Sequence, residues 1–421
     1  MRKLFYLIFV LLIVGIHGCG SVGNRLSNDY PEVVDMTVEN PSNAMRLDET
    51  LMLDLNDIRA EASDFNPDAF VVICDGMEAV SQSIDRNNDG KADAVAVLLD
   101  LEPASKKSLT MRYAKEGAKL REYSKRTQAE LSIKVGGQWD GNKYVGGEFQ
   151  NIDYLRVPDA HTDHSSYIRY EGPGWESDRV GYRFYLDWRN AADIFGKKTT
   201  AMVLQNVGQD GFDSYHDMSD WGMDVLKVGE SLGIGSIAMW YDGSANRVNE
   251  TDSLICEIVA NGPVASMIRT HYFGWKVGDK SFDLVSDLSI CAGSRMTKHE
   301  LSIEGVPENL CTGIVKHPDA KLFQSATSEG WGYVATYGVQ SLASDRLGMA
   351  VLFRNEDLIK VTEDEHSHVA VLKADGGSLI YYSLAAWQLE PQGIKNEASF
   401  LEYLNETVTR LNDPSKINIE R

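Results

Sequence analysis

Short segments that alternate apolar and polar side chains recur along this chain and constrain its fold more than any other feature. They include "EVVDMTVEN", "AVAVLLDLE", "AELSIKVGG", "SLICEIVANG", "FDLVSDLSI", "HELSIEG", "GMAVLFRN" and "HVAVLKADGGSLIYYSLAAW". Successive side chains of a strand point to opposite faces, so this period suits strands with one face in a core. Gly, Asn and Asp punctuate the segments where turns need them. Helical periodicity is scarce. In "NEASFLEYLNETVTRLNDP", Phe400, Leu401, Leu404, Val408 and Leu411 mark one face, and Pro414 follows the end. A shorter candidate helix lies in "LMLDLNDIRAEA". The expected fold is mainly β, with two large antiparallel sheets packed face to face and one C-terminal helix.

The N-terminus reads as a targeting segment. Arg2 and Lys3 precede an apolar run from Leu4 to Ile16 broken only by Gly15, and "IHGC" ends at Cys19. The run is too short for a mature membrane span. A cysteine after a small residue resembles a bacterial lipobox, which makes Cys19 the expected lipidated first residue of the mature protein. A plain signal peptide and an uncleaved anchor are the alternatives. Residues 1–18 are the expected signal, 19–30 a tether, and 31–421 one β domain, since no linker, repeat or low-complexity block divides the chain. The residues after Cys19 lack acidic character, which favours periplasmic tethering at a membrane over surface display.

The formal charge of −21 excludes a nucleic-acid partner, whose phosphates need a basic surface. An anionic ligand would need arginines gathered inside an acidic shell. Besides Cys19, the cysteines are Cys74, Cys256, Cys291 and Cys311, with no C-x-x-C pair. A zinc or thioredoxin-type site is not indicated, and buried free thiols are expected.

Several stretches carry side chains suited to chemistry. In "DRNNDGKAD", Asp85, Asn87, Asp89 and Asp93 with Gly90 match the first part of an EF-hand loop. Ala96 stands where a bidentate Glu belongs, so the segment is either a loop for structural Ca2+ or a polar hairpin between "VSQSI" and "AVAVLLD". "YIRYEGPGWESDRVGYRFYLDWRN" concentrates aromatic faces and arginine forks. As a strand, "DRVGYRFYLDW" sends Val180, Tyr182, Phe184, Leu186 and Trp188 to a core. Arg179, Gly181, Arg183, Tyr185 and Asp187 go to a polar face, either solvent or a cleft floor. "GFDSYHDMSDWGMDVLKVG" sets Tyr215 and His216 among Asp217, Asp220 and Asp224, a setting for acid–base work near neutral pH. "MIRTHYFGW" alternates Arg269, His271 and Phe273 on one face and offers a second acid–base candidate. "DEHSH", His161 and His164 read as ordinary loop histidines.

Taken in order, "TVENPSNAMRLDETL", "VSQSIDRNNDGKADAVAVLLDL", "WESDRVGYRFY", "YHDMSDWGMDVLKVGESLGIGSIAMW" and "NGPVASMIRTHY" resemble a family known as a domain of unknown function in bacterial polysaccharide-utilisation loci. The resemblance spans roughly residues 32–390. It implies a galactose-mutarotase-like β-supersandwich and a lyase that dehydrates the non-reducing-end uronate of ulvan oligosaccharides, leaving a 4,5-unsaturated sugar. Removing the C5 proton needs a base and a neutralised carboxylate, and the C4 hydroxyl needs an acid. Carried onto this chain, His216 is the base and Tyr215 the acid, with His271 or Tyr182 as substitutes. Arg183 and Arg179 clamp the carboxylate, Trp175 and Trp221 stack on sugar rings, and Glu176 and Arg269 are further substrate contacts. No cofactor is required for this reaction. The alternatives are a polysaccharide lyase with the same machinery, a non-catalytic glycan-binding lipoprotein, a sugar mutarotase, or a glycoside hydrolase using paired carboxylates such as Glu176 and Asp224.

Overall fold

The computed structural model describes residues 26–211, 213–325 and 327–420. The expected signal, Cys19 and most of the tether lie outside the described residues. The strand-rich reading holds: the sheets are antiparallel throughout their named pairings, and a C-terminal helix packs on them.

A nine-stranded sheet is the largest element. It runs in the order Tyr154–Arg156, Ser253–Asn261, Ala265–Val277, Lys280–Cys291, Met296–Glu304, Ser378–Trp387, Arg346–Arg354, Trp331–Val339, Ala320–Gln324. A six-stranded sheet runs Gly222–Asp224, Ala192–Lys197, Gly181–Phe184, Gly174–Ser177, Thr127–Asp140, Lys143–Ile152. Both contribute to one apolar core. Trp175, Tyr182 and Ile194 from the six-stranded sheet join Ile268, Tyr272, Leu284 and Ile290 from the nine-stranded one. Period-two alternation decides the faces: Ile268 and Tyr272 turn inward, while Arg269, His271 and Phe273 take the opposite face.

Residues between 34 and 113 build a core of their own rather than joining this one. Val34, Leu53, Val72, Val97 and Met111 pack together from a five-stranded and a three-stranded sheet. Its edge is closed by the last strand, Lys416–Glu420, which pairs with the first, Glu32–Glu39. The described residues hold two large apolar cores, and the strands Glu32–Glu39 and Lys416–Glu420 lie together at the smaller one.

The local readings fare unevenly. "LMLDLNDIRAEA" is a strand up to Asp54 and a helix only over Leu55–Glu61, capped by the Asp54 carboxylate accepting from the Asn56 N–H. The C-terminal helix Glu397–Asn412 buries Phe400, Leu404 and Val408 as its periodicity demands, and Asn396 caps it by accepting from the Ser399 N–H. Ser81–Ile84 and Ala94–Leu101 pair as a hairpin around the Asp85–Asp93 loop. Asp85 accepts from the N–H groups of Asp89 and Gly90, and Asp93 pairs with Arg86 at 2.5 Å. The four remaining cysteines are free thiols, and three of them are buried.

Candidate active site

The strand Gly181–Phe184 has both faces buried. Its apolar side joins the core, and its polar side floors an ionic cluster instead of meeting solvent. Arg183 lies across from Asp193 on the neighbouring strand Ala192–Lys197, and Asp224 comes from the next strand but one, Gly222–Asp224. The Arg183 guanidinium donates to Asp193 Oδ2 at 2.8 Å, to Asp224 Oδ2 at 2.6 Å and to the Tyr215 hydroxyl at 2.7 Å. Arg183 is 2% exposed and the two carboxylates 1% each. Burying so much charge is tolerated only where every group is partnered. Burial, with Asp224 alongside, pushes the Asp193 carboxyl up to about 7, and the Tyr185 hydroxyl donates to it at 2.6 Å.

Tyr215 and His216 reach this cluster together. Adjacent residues of a strand would point apart, but Ser214–His216 is a 3-10 turn, and the two rings lie 4.7 Å apart. Tyr215 is buried, with its hydroxyl at Arg183, while His216 is half-exposed with Nε2 at 3.4 Å from Asp224 Oδ2. The hydrogen bond to Asp224 raises the His216 pKa, against partial burial. Burial pushes the Tyr215 phenol up, and Arg183 opposes it. This gives an aspartate-oriented imidazole beside a protonated phenol, the parts of an acid–base pair.

A cavity of about 460 Å3 adjoins the cluster, walled by Tyr170, Glu171, Gly208, His164, Lys134 and Phe149 among others. The Tyr170 carbonyl accepts from Arg183 at 3.4 Å, and Glu171 Oε2 lies 3.8 Å from the same guanidinium, so the cavity and the ionic cluster share a wall. Burial would raise the Glu171 carboxyl, but Arg183 and Arg189 outweigh it and hold it at about 2. At Gly208 (φ +70°), a Cβ would come within 3.3 Å of the Tyr215 ring and 3.4 Å of Tyr170. Four non-glycine residues of the wall, His164, Ser166, Tyr170 and Glu171, also hold positive φ of 57°, 61°, 38° and 71°. Such conformations cost energy and persist where the surrounding structure fixes them, commonly at functional sites.

Among the described residues, Asp163, His164 and Glu171 are the His/Cys/Asp/Glu group whose ligand atoms converge within 4.8 Å. The Arg189 guanidinium already sits 2.9 Å from both carboxylates, Asp163 Oδ1 and Glu171 Oε1, and supplies the positive charge there.

The structure gathers part of the sequence-based set and scatters the rest. Arg183, Tyr215 and His216 come together, and Trp221 packs edge-on to Phe195 behind Tyr215. Arg183 is not a carboxylate clamp, because it is buried and spent on two aspartates. Trp175 is not a sugar platform: it is 2% exposed in the core, with its indole N–H donating to Thr297 Oγ1 at 2.8 Å. Tyr182 is a core residue whose hydroxyl donates to the Arg295 carbonyl at 2.6 Å. Glu176 is fully buried, ion-paired with Lys197, and accepts from the N–H groups of Val203 and Leu204. It is structural and cannot pair across a cleft with Asp224. Arg269 and His271 lie on the far face of the nine-stranded sheet, paired with Asp287 at 2.7 Å and Glu257 at 3.2 Å. Arg179 opens toward a different cavity. Sequence reasoning missed Asp193, Glu171, Arg189, Lys134 and the cavity role of His164. Asp193 had a signal, since its position in a strand adjoining Arg183 makes it the natural counter-ion.

With this geometry in view, the comparisons place the chain. Residues 38–417 match the family model described as a domain of unknown function (DUF4861). The chain belongs to that family. A curated relative, "Uncharacterized protein P7" of Formosa agariphila, is 22% identical over 410 residues, covering 91% of this chain and 93% of its own. Among solved structures, a glycosyl hydrolase family 38 protein of Enterococcus faecalis aligns with a TM-score of 0.42 at 9% identity over 95% of this family member. An α-mannosidase of the same species aligns at 0.39 with 10% identity over 96%. The chain spans about half the length of those two chains (50% and 48%), and likeness at this level bears on no chemistry.

Proposed function

We propose that this protein is an exported carbohydrate-active enzyme that removes water from the non-reducing-end uronate of acidic oligosaccharides, ulvan fragments among them. The observation that carries the reading is the pairing of His216 and Tyr215, 4.7 Å apart and fixed by one buried Arg183–Asp224 network beside a polar cavity. In the proposed step neutral His216 takes the C5 proton. The electron pair of that C–H bond forms the C4=C5 double bond and expels the C4 hydroxyl. Tyr215 protonates the departing oxygen, so water leaves, and the His216 imidazolium returns its proton to the tyrosinate. Protons and charge balance without a cofactor. Lys134, on the cavity wall, is the group proposed to neutralise the uronate carboxylate, the role Arg183 cannot fill. Neutralising that charge is what makes C5 acidic enough to yield its proton.

Export and membrane attachment through lipidated Cys19 belong to the same proposal, as does a structural calcium in the Asp85–Asp93 loop. The test is incubation with uronate-terminated oligosaccharides, followed by product mass. Loss of one water with the chain length kept supports the dehydratase. Shorter, unsaturated products assign the same machinery to a polysaccharide lyase. Unchanged masses across a panel of acidic oligosaccharides overturn elimination and leave a binding protein.

A further inference from the structure

A second cavity, of about 720 Å3, shares no lining residue with the first. Three parts of the fold enclose it: the N-terminal sheets through Asp48, Met52 and Arg86, the outer face of the nine-stranded sheet through Lys298 and Tyr382, and the C-terminal helix through Tyr403 and Arg410. Its walls carry six cationic and four acidic side chains, in a chain whose formal charge is −21. This is the arginine-bearing pocket inside an acidic shell that an anionic ligand requires.

The pairing of those charges shows where the surplus lies. Arg86 is held by Asp54 and Asp93, Arg295 by Glu390, Lys298 by Glu300, and Arg354 by Glu356 at 3.5 Å. Asp48 is claimed by Arg126, which lies outside the lining and donates two bonds at 2.6 and 2.9 Å. Arg179 and Arg410 both act on Asp48 electrostatically, yet among the described residues neither forms an ion pair with a carboxylate closer than 4.0 Å. Arg179 comes no closer than 3.5 Å to Gln392 Oε1 and 4.0 Å to Asp48 Oδ2, and Arg410 donates to the Met45 carbonyl at 3.1 Å. Two guanidinium forks without close counter-ions suit bidentate capture of a carboxylate or sulfate. Beside them, half-buried Tyr382 and Tyr403 line the cavity, one face of the Tyr403 ring lying under the Arg295 guanidinium, and aromatic rings of this kind pack against a pyranose.

We propose that this cavity is a second, non-catalytic site for an acidic oligosaccharide, with its carboxylate or sulfate groups on Arg179 and Arg410. The proposal rests on the acidic-saccharide reading of the preceding section. It would let one chain hold a long polyanion away from the site that processes its end.

The experiment is calorimetric titration of the full chain with a long uronate oligosaccharide, a sulfated one, a neutral one of equal length, and inorganic sulfate. Both acidic saccharides are expected to bind and the neutral one not, with affinity falling as salt rises. Arg179→Ala and Arg410→Ala should each weaken binding by about ten-fold or more, the scale of one lost charge-assisted pair. Arg179→Lys should recover part of it, and thermal melts identify any variant that has not folded. Binding by sulfate alone with no preference for saccharide would overturn the saccharide assignment. Wild-type affinity in both folded arginine variants would overturn the site. Product mass is read separately, so an absent elimination reaction with intact Arg179-dependent binding would sink the proposed function and leave this site standing.

Discussion

Arg183 and Arg269 each face an aspartate across an antiparallel pair of strands, Asp193 and Asp287, and each has a histidine close by. Along the sequence the two arrangements look interchangeable. In the fold, the Arg183 side chain is 2% exposed and its partner 1%, against 17% and 18% for Arg269 and Asp287. The first pair sits in a low-dielectric floor, where charges act strongly on neighbours, and it orients Tyr215 and Asp224. The second lies in a partly solvated ladder where pairing is worth little. Burial and what shares it separate a candidate catalytic cluster from surface decoration.

The comparison can be broken by paired substitutions. The largest effect is expected from the histidines. His216→Ala should lower kcat by about 10²- to 10⁴-fold, the usual worth of a general base, with the fold retained. His271→Ala should leave kcat within about two-fold, since its partner Glu257 lies on the opposite face from the cluster. Steady-state kinetics on a uronate oligosaccharide would measure both. Next come the arginines. Arg183→Met strands two buried carboxylates and should cost about 3–5 kcal/mol of stability, whereas Arg269→Met should cost about 1 kcal/mol or less, both read by denaturant unfolding. Lys134→Ala should raise KM by about ten-fold while kcat falls less, if Lys134 meets the substrate carboxylate in the ground state.

The smallest and most diagnostic effect is on pH. The Asp224 hydrogen bond raises the His216 pKa above its ordinary 6.5. A base must be neutral, so kcat/KM should climb as pH rises through that raised value and level off above it. Asp224→Asn removes the cause, and the ascending limb should move to lower pH. A limb that stays in place would separate His216 from the proton transfer.

Much of the fold could be read from periodicity. The hairpin around Asp85–Asp93, the helix face of Phe400, Leu404 and Val408, and the two faces of Arg183 and Tyr182 all follow from local spacing. The split into two cores could not, because Val34 and Ile268 look alike until long-range pairing assigns them. The site was half legible for the same reason. Tyr215 and His216 declared themselves as residue types, but their convergence depends on a 3-10 turn rather than a strand. His164 and Glu171 carry no local signal. Their place on the cavity wall comes from a left-handed loop held by hydrogen bonds such as that from the His164 N–H to Glu171 Oε1 at 2.9 Å. Trp175 and Glu176 misled because a large aromatic and a carboxylate serve a core as readily as a cleft.

The most direct test of the account follows the ultraviolet absorbance of an unsaturated uronate during incubation with uronate-terminated oligosaccharides, using wild type, His216→Ala and His271→Ala side by side. The account predicts that absorbance rises for wild type and His271→Ala and stays flat for folded His216→Ala. A rise with His216→Ala at the wild-type rate, or its loss with His271→Ala alone, would contradict it and move the chemistry to the other face of the nine-stranded sheet.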